Sequence, residues 1–592
     1  MIDYLTPAMR LYLDELVDWE DLLALRKGGA VDRESELGAF RTLLETAAAV
    51  AHSLERPARE HWFAEAELTP DGGAAPPAHI RAAYQKLRES GLVALTLSEE
   101  YGGFALPSLL NGMILEMISR TDTSLMTIVG LQTGTGSDIE KYGSEETRRK
   151  WLPRFTSGEL QGCMDLTEPQ AGSDLGGIAT RATALPAGSS EGSSEGPSEG
   201  SSEGDVRVDG QKIFITNGGA EVHLVLARDA DTFDASRGTT RGLSLVLVAR
   251  HHEDGSRNGV RVARLEKKLG LHGSPTCEVV FENAIGTRLG EKGQGFKAML
   301  DLMNGARLGV AAQAVGLSQA AFDAALAYAR TRKQFGIPIG EQPLVRTLLA
   351  KMAVNIEASR ALLYRTLVVS DWNLARQAAL DRGDGSAAER DAWSKALERD
   401  TQLVRLLTPL TKYFATEICD DLTRDAMQVL GGIGFTMEVD VAKLHADSLI
   451  LTIYEGTSEI QASFALREMG KGALATLLAQ VRGELERASA DDALAPLAER
   501  VKQSCAAVDE AAKILFSDLP YALLRAKLVA EMVINLIAAS ELLQQAQADP
   551  SRRDLAEAFV IRRMLENELG AKRIAQNHAG RLERDARILG RY

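Results

Sequence analysis

At 592 residues, with 45% apolar and 25% charged side chains, the chain has the composition of a globular protein with roughly three or four folding units, which excludes wholesale disorder. Its formal net charge of -15 argues against a nucleic-acid binder, which needs clustered lysine and arginine against phosphate, but leaves room for a small anionic ligand at a local basic spot. Cys163, Cys277, Cys419 and Cys505 lie far apart without CxxC or CxxH spacing, and the nine histidines show no HExxH, so neither a disulfide framework nor a metal site is expected and a reducing, cytoplasmic setting is.

The N-terminus, MIDYLTPAMRLYLDELVDW, carries acidic residues where a signal peptide has a basic start. Residues 1–160 read as a helical domain: Ile80, Tyr84 and Leu87 keep a 3.6-residue period, and Gly91 is a C-terminal stop. Residues 161–289 read as a middle β domain. DVRVDGQKIFITNGG contains Asp209-Gly210, a hairpin-turn signal between two strands, and VHLVLAR, LSLVLVA and EVVFEN continue the texture. Within this domain, residues 187–204 repeat Ser-Glu-Gly with no apolar side chain, a solvated insertion expected at a hairpin tip between the strands TRATAL and DVRVDG.

Helical periodicity returns over 290–470, where Leu308, Val315, Phe322 and Leu326, then Leu348, Met352, Ile356 and Leu363, trace apolar faces of a bundle. Residues 471–592 form an Ala/Leu/Arg/Glu-rich helical extension. Its longest apolar run, LVAEMVINLIAAS, is interrupted by Glu531 and is too short to span a bilayer, so it reads as a buried helix and no transmembrane segment is expected. The whole is a mostly α fold around a central β domain.

One glutamate needs explaining. In LTIYEGTSEIQ, residues 451–461, Glu455 stands between an aromatic residue and a glycine where an apolar run breaks into a turn. A carboxylate there is either surface-exposed or has to be satisfied or put to work.

Five stretches in order, MDLTEPQAGSD (164–174), KIFITNGG (212–219), MNGARLGVAAQAVGLSQAAFDAALAYARTRKQFG (303–336), AMQVLGGIGF (426–435) and IYEGTSEIQ (453–461), make residues 77–465 resemble the FAD-dependent acyl-CoA dehydrogenases. The resemblance implies that family's fold: a helical domain, a β-barrel-like middle domain and a C-terminal helical bundle. It also implies its reaction, oxidation of an acyl-CoA thioester to the trans-2-enoyl-CoA with hydride passing to flavin N5 and electrons to an electron-transferring flavoprotein. Glu455 matches the family's base. In some members the base instead precedes the arginine of NGAR, but here that position is Ala306. A pocket closed by an acyl chain raises a glutamate's basicity by desolvation, while hydrogen bonds to the thioester carbonyl acidify the α carbon.

For the cofactor, the resemblance implies that Met164, Leu166 and Thr167 line the isoalloxazine, that Ser173 lies near substrate and the flavin phosphates, and that Phe214 and Thr216 cover the ring. Thr457 and Glu459 match further cofactor-binding positions, Glu459 that of an adenosine contact. Arg332, Phe335, Gln428, Gly431 and Gly432 match residues that reach the FAD of a neighbouring subunit, so a homo-oligomer, at least a dimer, is implied. Asn304, Arg307, Ser173 and Gly456 match substrate-facing positions, the arginine suiting phosphate or carbonyl.

Three departures stand out. Asn304 replaces a commoner Asp, Glu459 a commoner Gln, and an Arg-Asp pair is reduced to Ala446-Asp447. GLHGSPTCEVVFE, the insertion NLARQAALDRGDGSAAERDAWSKALERD and the C-terminal extension resemble the large branch that includes the methylthiopropanoyl-CoA and mycobacterial long-chain enzymes. The substrate is expected to be a saturated medium- or long-chain acyl-CoA. The alternatives are an acyl-CoA oxidase, a dehydrogenase of a specialised branched, cyclic or thioether acyl-CoA, and a non-catalytic binding relative, which would lack the base. The extension reads as packing rather than membrane contact, because its charges are mixed.

Overall fold

The computed structural model describes residues 3–185, 205–576 and 580–591. The chain divides into two compact units, one of Met1–Tyr4, Thr42–Ala320 and Gly432–Ile450, the other of Leu5–Arg41, Ala321–Gly431 and Leu451–Tyr592. It is mostly helical with one β domain, as expected from the periodicities.

In the first unit, helices Ala78–Glu89, Ser108–Thr121, Thr123–Tyr142 and Glu145–Thr156 precede the strands. Ile80, Tyr84 and Leu87 are buried, and Gly91, at φ +66°, follows the helix end. Seven strands follow: β1 (Gly162–Asp165), β2 (Arg181–Ala184), β3 (Asp205–Thr216), β4 (Val222–Asp229), β5 (Leu243–Ala249), β6 (Val260–Leu265) and β7 (Thr276–Leu289). Their order is β1-β4-β2-β3-β7-β5, with β6 on β7, and a β4–β5 ladder closes the path into a barrel. Val208, Val225, Val246, Val279 and Phe281 fill one face. Leu224, Leu226, Leu245 and Leu247 pack on the other against Ile139, Phe155 and Met299. Covered on both faces, β4 is buried along its whole length, which explains the unbroken apolar stretch from Leu224 to Ala227 at its centre.

One expectation is corrected here. Asp209-Gly210 is not a turn: both residues lie inside β3, at a bulge where the register with β7 shifts. A Cβ at 210 would sit 2.4 Å from Thr180 Oγ1, so close packing rather than chain reversal demands the glycine. The hairpin arms are β2 and β3, which pair antiparallel with Ala184 opposite Val206. The Ser-Glu-Gly stretch 187–204 between them lies outside the described residues.

The helical region contains α1 (Gly295–Thr331), α2 (Pro343–Arg382), α3 (Ala387–Leu430), α4 (Ser458–Glu468), α5 (Ala526–Ala548) and α6 (Arg553–Ala575). In the second unit α2 packs along α3. The insertion at 373–400 is no separate lobe: it lengthens both helices, which meet at a turn closed by a capping box between Ser386 and Glu389. The extension consists of helices and short turns, with no strand among its described residues. In α5, Val529, Met532, Val533, Leu536 and Ile537 are buried, and Glu531, the charge that interrupts the run, accepts a hydrogen bond from Tyr413 Oη at 2.7 Å. Among the described residues no helix is long and apolar enough to cross a membrane.

Candidate active site

The first unit holds the β-domain motifs. On β1, alternation sends Cys163 and Asp165 to one side of the strand and Met164 to the other, where it is half-buried against the leucine-rich layer. Leu166 is buried and Thr167 half-buried. The Thr167 carbonyl accepts from Ile213 N–H at 2.9 Å, tying this segment to β3. Ser173 is exposed and Thr216 half-buried at the end of β3. Phe214 is 59% exposed at φ +59°, inside a register shift between Lys212 and Ile215. A bulge re-aims one side chain. Here it turns an aromatic ring out of the strand's apolar layer.

Two residues inside these motifs escaped sequence reasoning. Glu168 Oε1 accepts from Lys212 Nζ at 2.8 Å and from Thr180 N–H at 3.1 Å, and its Oε2 accepts from Ala179 N–H at 2.8 Å. Lys212 Nζ also donates to the carbonyls of Leu166 (3.1 Å) and Leu226 (2.8 Å). Burial alone would raise the Glu168 carboxyl, but Lys212 and these donors outweigh it and hold it below its ordinary value. This buried pair fixes the loop that carries Leu166 and Thr167 onto the strand that carries Phe214. The signal was in the sequence, a charged residue in each of two motifs, but nothing linear paired them.

The β1–β4 ladder makes a second polar cluster. Cys163 Sγ lies 3.2 Å from Asp165 Oδ2 and 3.1 Å from His223 Nδ1, and Nδ1 lies 3.0 Å from Oδ2, all three residues buried. Sequence spacing predicts no such convergence, because the register Cys163 opposite His223 creates it. Burial, then Asp165, pushes the thiol well up, so it serves as a donor to the carboxylate.

Also in the first unit, Arg307 is 4% exposed and its Nη1 donates to Asn304 Oδ1 at 2.9 Å, one helical turn away on α1. The structure thus brings these two predicted residues together. The reduced Ala446-Asp447 pair is compensated: Lys443, one turn earlier, pairs with the buried Asp447 carboxylate, which also accepts from Leu271 N–H at 2.7 Å. The cation for Asp447 comes from a lysine four residues upstream.

The second unit holds Glu455. It is half-buried in a turn before α4, at φ +55°, and the following Gly456 is at +97°. Thr457 caps α4, its side chain accepting from Ile460 N–H. Gln461 Nε2 donates to the carbonyls of Glu455 (2.9 Å) and Gly456 (3.0 Å), and Lys412 Nζ donates to that of Gly456 (2.9 Å). Glu459 is exposed, with Lys527 Nζ 3.3 Å from its Oε1. Arg332, Gln428 and Gly431 are exposed, and Phe335 is 94% exposed at φ +53° in a hairpin. Gly432, assigned to the first unit, is exposed as well.

Residues 42–159, 163–284 and 293–470 match the acyl-CoA dehydrogenase N-terminal, middle and C-terminal domains respectively. The chain is 31% identical over 521 residues to the 3-methylmercaptopropionyl-CoA dehydrogenase of Ruegeria pomeroyi, covering 84% of this chain and 82% of that protein. An acyl-CoA dehydrogenase from Bacillus anthracis, solved in complex with FAD, superposes with a TM-score of 0.72 at 24% identity over 91% of this chain and 88% of that one. A structure described as the electron transferring flavoprotein of Acidaminococcus fermentans matches with a TM-score of 0.58 at 27% identity, over 73% of this chain and 97% of that one.

Proposed function

The chain belongs to the acyl-CoA dehydrogenase family, and from that premise we propose that it desaturates an acyl-CoA thioester between the α and β carbons with Glu455 as the base. The observation that carries this reading is local. Glu455 is the carboxylate of the family's base motif, half-buried and in a sparsely populated backbone conformation of the kind that gathers at functional sites. The alternative base position on α1 is Ala306, which cannot accept a proton. The Glu455 carboxylate takes the α proton, and the backbone N–H of the same residue is the donor for the thioester carbonyl, where charge develops.

The residues of the β domain fit FAD. Phe214, turned out by its bulge, offers an aromatic face, and Met164, Leu166, Thr167 and Thr216 offer a thioether, an apolar wall and two hydroxyls, a set suited to a flat ring with polar edges. FAD, when bound, supplies the acceptor for the β hydride. Thr457 and Glu459 are assigned to the same cofactor, and Arg332, Phe335, Gln428, Gly431 and Gly432 to the cofactor of a second copy in a homodimer. The 94% exposure of Phe335 supports that assignment, since a phenylalanine ring left in water is unfavourable by its apolar area. Arg307, Asn304, Ser173 and Gly456 are assigned to substrate.

The acyl group is a saturated medium or long chain, and the electrons pass to an electron-transferring flavoprotein. The similarity to a 3-methylmercaptopropionyl-CoA dehydrogenase favours a second reading, a thioether acyl-CoA. The test is the visible spectrum of the purified protein, followed anaerobically while straight-chain saturated thioesters and 3-methylmercaptopropionyl-CoA are added. Bleaching of the flavin band, ordered by rate, establishes the reaction and ranks the substrates. Peroxide formation in air at the turnover rate assigns an oxidase instead. A yellow protein that no thioester bleaches removes the acyl assignment, and a protein that cannot be loaded with FAD sinks the proposal.

A further inference from the structure

We infer that Lys412 and Gln461 are positioning residues that hold the Glu455–Gly456 turn in the conformation from which Glu455 takes its proton, an inference that rests on Glu455 being the base. Two consecutive residues with positive φ make this turn, and the first is not glycine. A non-glycine residue in the left-handed region costs on the order of 1–3 kcal/mol and persists only where the surroundings over-determine it. The surroundings here are three hydrogen bonds from two fully buried side chains onto two successive carbonyls.

The two side chains come from different helices. Gln461 lies in the first turns of α4 and reaches back over the helix start, while its own N–H bonds to the Thr457 carbonyl at 2.9 Å. Lys412 projects from α3, which also supplies Glu417, the acceptor for Ser458 Oγ. The turn is therefore pinned between α3 and α4 at Glu455, Gly456 and Ser458. The amide of Gln461 has only one workable orientation, because flipping it would set Oε1 against two carbonyl oxygens. In the observed orientation Oε1 is buried without a hydrogen-bond partner. The amide thus forgoes a hydrogen bond of its own and serves the two carbonyls. Gly456 is part of the same device: a Cβ there would stand 2.7 Å from Gln461 Nε2.

These bonds hold the left-handed φ of Glu455, and a change in that angle swings its Cα–Cβ bond and with it the carboxylate. Proton abstraction depends steeply on that placement, and a misplacement of about 1 Å costs about 10²-fold in rate.

The test compares Lys412→Met, Gln461→Leu and the near-isosteric Gln461→Glu, which turns two donors into a carboxylate facing two carbonyl oxygens. With the FAD-loaded enzyme, kcat is expected to fall about 10²-fold while KM and FAD content stay within about threefold, and the kinetic isotope effect for an α-deuterated acyl-CoA is expected to rise. Lys412→Gln, which keeps an N–H donor, recovers part of the rate. In a Glu455→Gln background, with slow bleaching followed over hours, adding Lys412→Met changes nothing further, since the lysine acts through the missing carboxylate. Losses that multiply in that background, or a raised KM at unchanged kcat, overturn the inference. If Lys412→Met fails to fold, Gln461→Glu alone carries the comparison, and full activity in that variant overturns it. Normal turnover by Glu455→Gln itself removes the base assignment, whereas an inactive Glu455→Gln beside fully active Lys412 and Gln461 variants removes only the positioning claim.

Discussion

Glu168 and Glu455 are the same residue type in two motifs of one family, and the chain treats them in opposite ways. Glu168 is buried, ion-paired with Lys212 and surrounded by backbone donors that hold it ionised. Glu455 is half-buried in a left-handed turn whose carbonyls receive the buried donors of Lys412 and Gln461. A carboxylate saturated with donors makes a good strut and a poor base, while one whose backbone is gripped can have its basicity set by the ligand that closes over it. The difference is one of surroundings: donors on the carboxylate of Glu168, donors on the backbone around Glu455.

The sharpest way to break this comparison is Glu455→Gln. Dehydrogenation followed by flavin bleaching is expected to fall by about 10²–10⁴-fold with acyl-CoA binding retained, and normal turnover would collapse the distinction. Next is Glu168→Gln, which leaves the Lys212 ammonium buried without its counter-ion. Stability should fall by about 3–5 kcal/mol, read by denaturant unfolding, with FAD retention weakened as the loop at Leu166 loosens. The sign with pH follows from the depressed carboxyl: the contribution of Glu168 is fully present above the ordinary value of 4.5 and is lost as the pH falls below it. An acid-unfolding midpoint unchanged between wild type and Glu168→Gln would deny it that role.

Gly456→Ala tests the turn from within. Its Cβ meets Gln461 Nε2 in a left-handed position, so about 1–2 kcal/mol of strain is expected, with kcat falling more than thermal stability does. A pure loss of melting temperature at full kcat would make the turn a scaffold only. The smallest effect is expected at Asp138 in the helix Thr123–Tyr142, where burial, and then Asp301, pushes the carboxyl up to about 8. The folded chain holds this proton where the unfolded chain has lost it, so stability declines as pH rises from about 4 to about 8. Asp138→Asn should raise the melting temperature at about pH 8.5 by a few degrees and change it little near pH 5. An equal shift at both pH values would contradict the assignment.

The helices of the bundle, the extension and the strands of the middle domain were legible because each rests on local periodicity and on the faces that periodicity buries. Glu455 was legible as a candidate through its motif and through Ala306 at the rival position. Asp209-Gly210 was misread because a glycine demanded by the close approach of Thr180 looks, in one dimension, the same as a glycine demanded by a turn. The lysine that replaces the missing arginine beside Asp447 was overlooked although it lies only four residues away, because the motif directed attention to position 446.

By itself, then, the sequence determined which segments coil and which extend, since these depend on neighbours within a few residues, and its resemblance to one family singled out Glu455 as the candidate base. Only the tertiary structure decided what surrounds each charge. Lys212 meets Glu168 from 44 residues away, Lys412 meets Gly456 from 44 residues away, and His223 meets Asp165 across a strand register. Those meetings are set by ladder register and helix packing, and buried charges end up partnered because desolvation makes every unpaired polar group expensive.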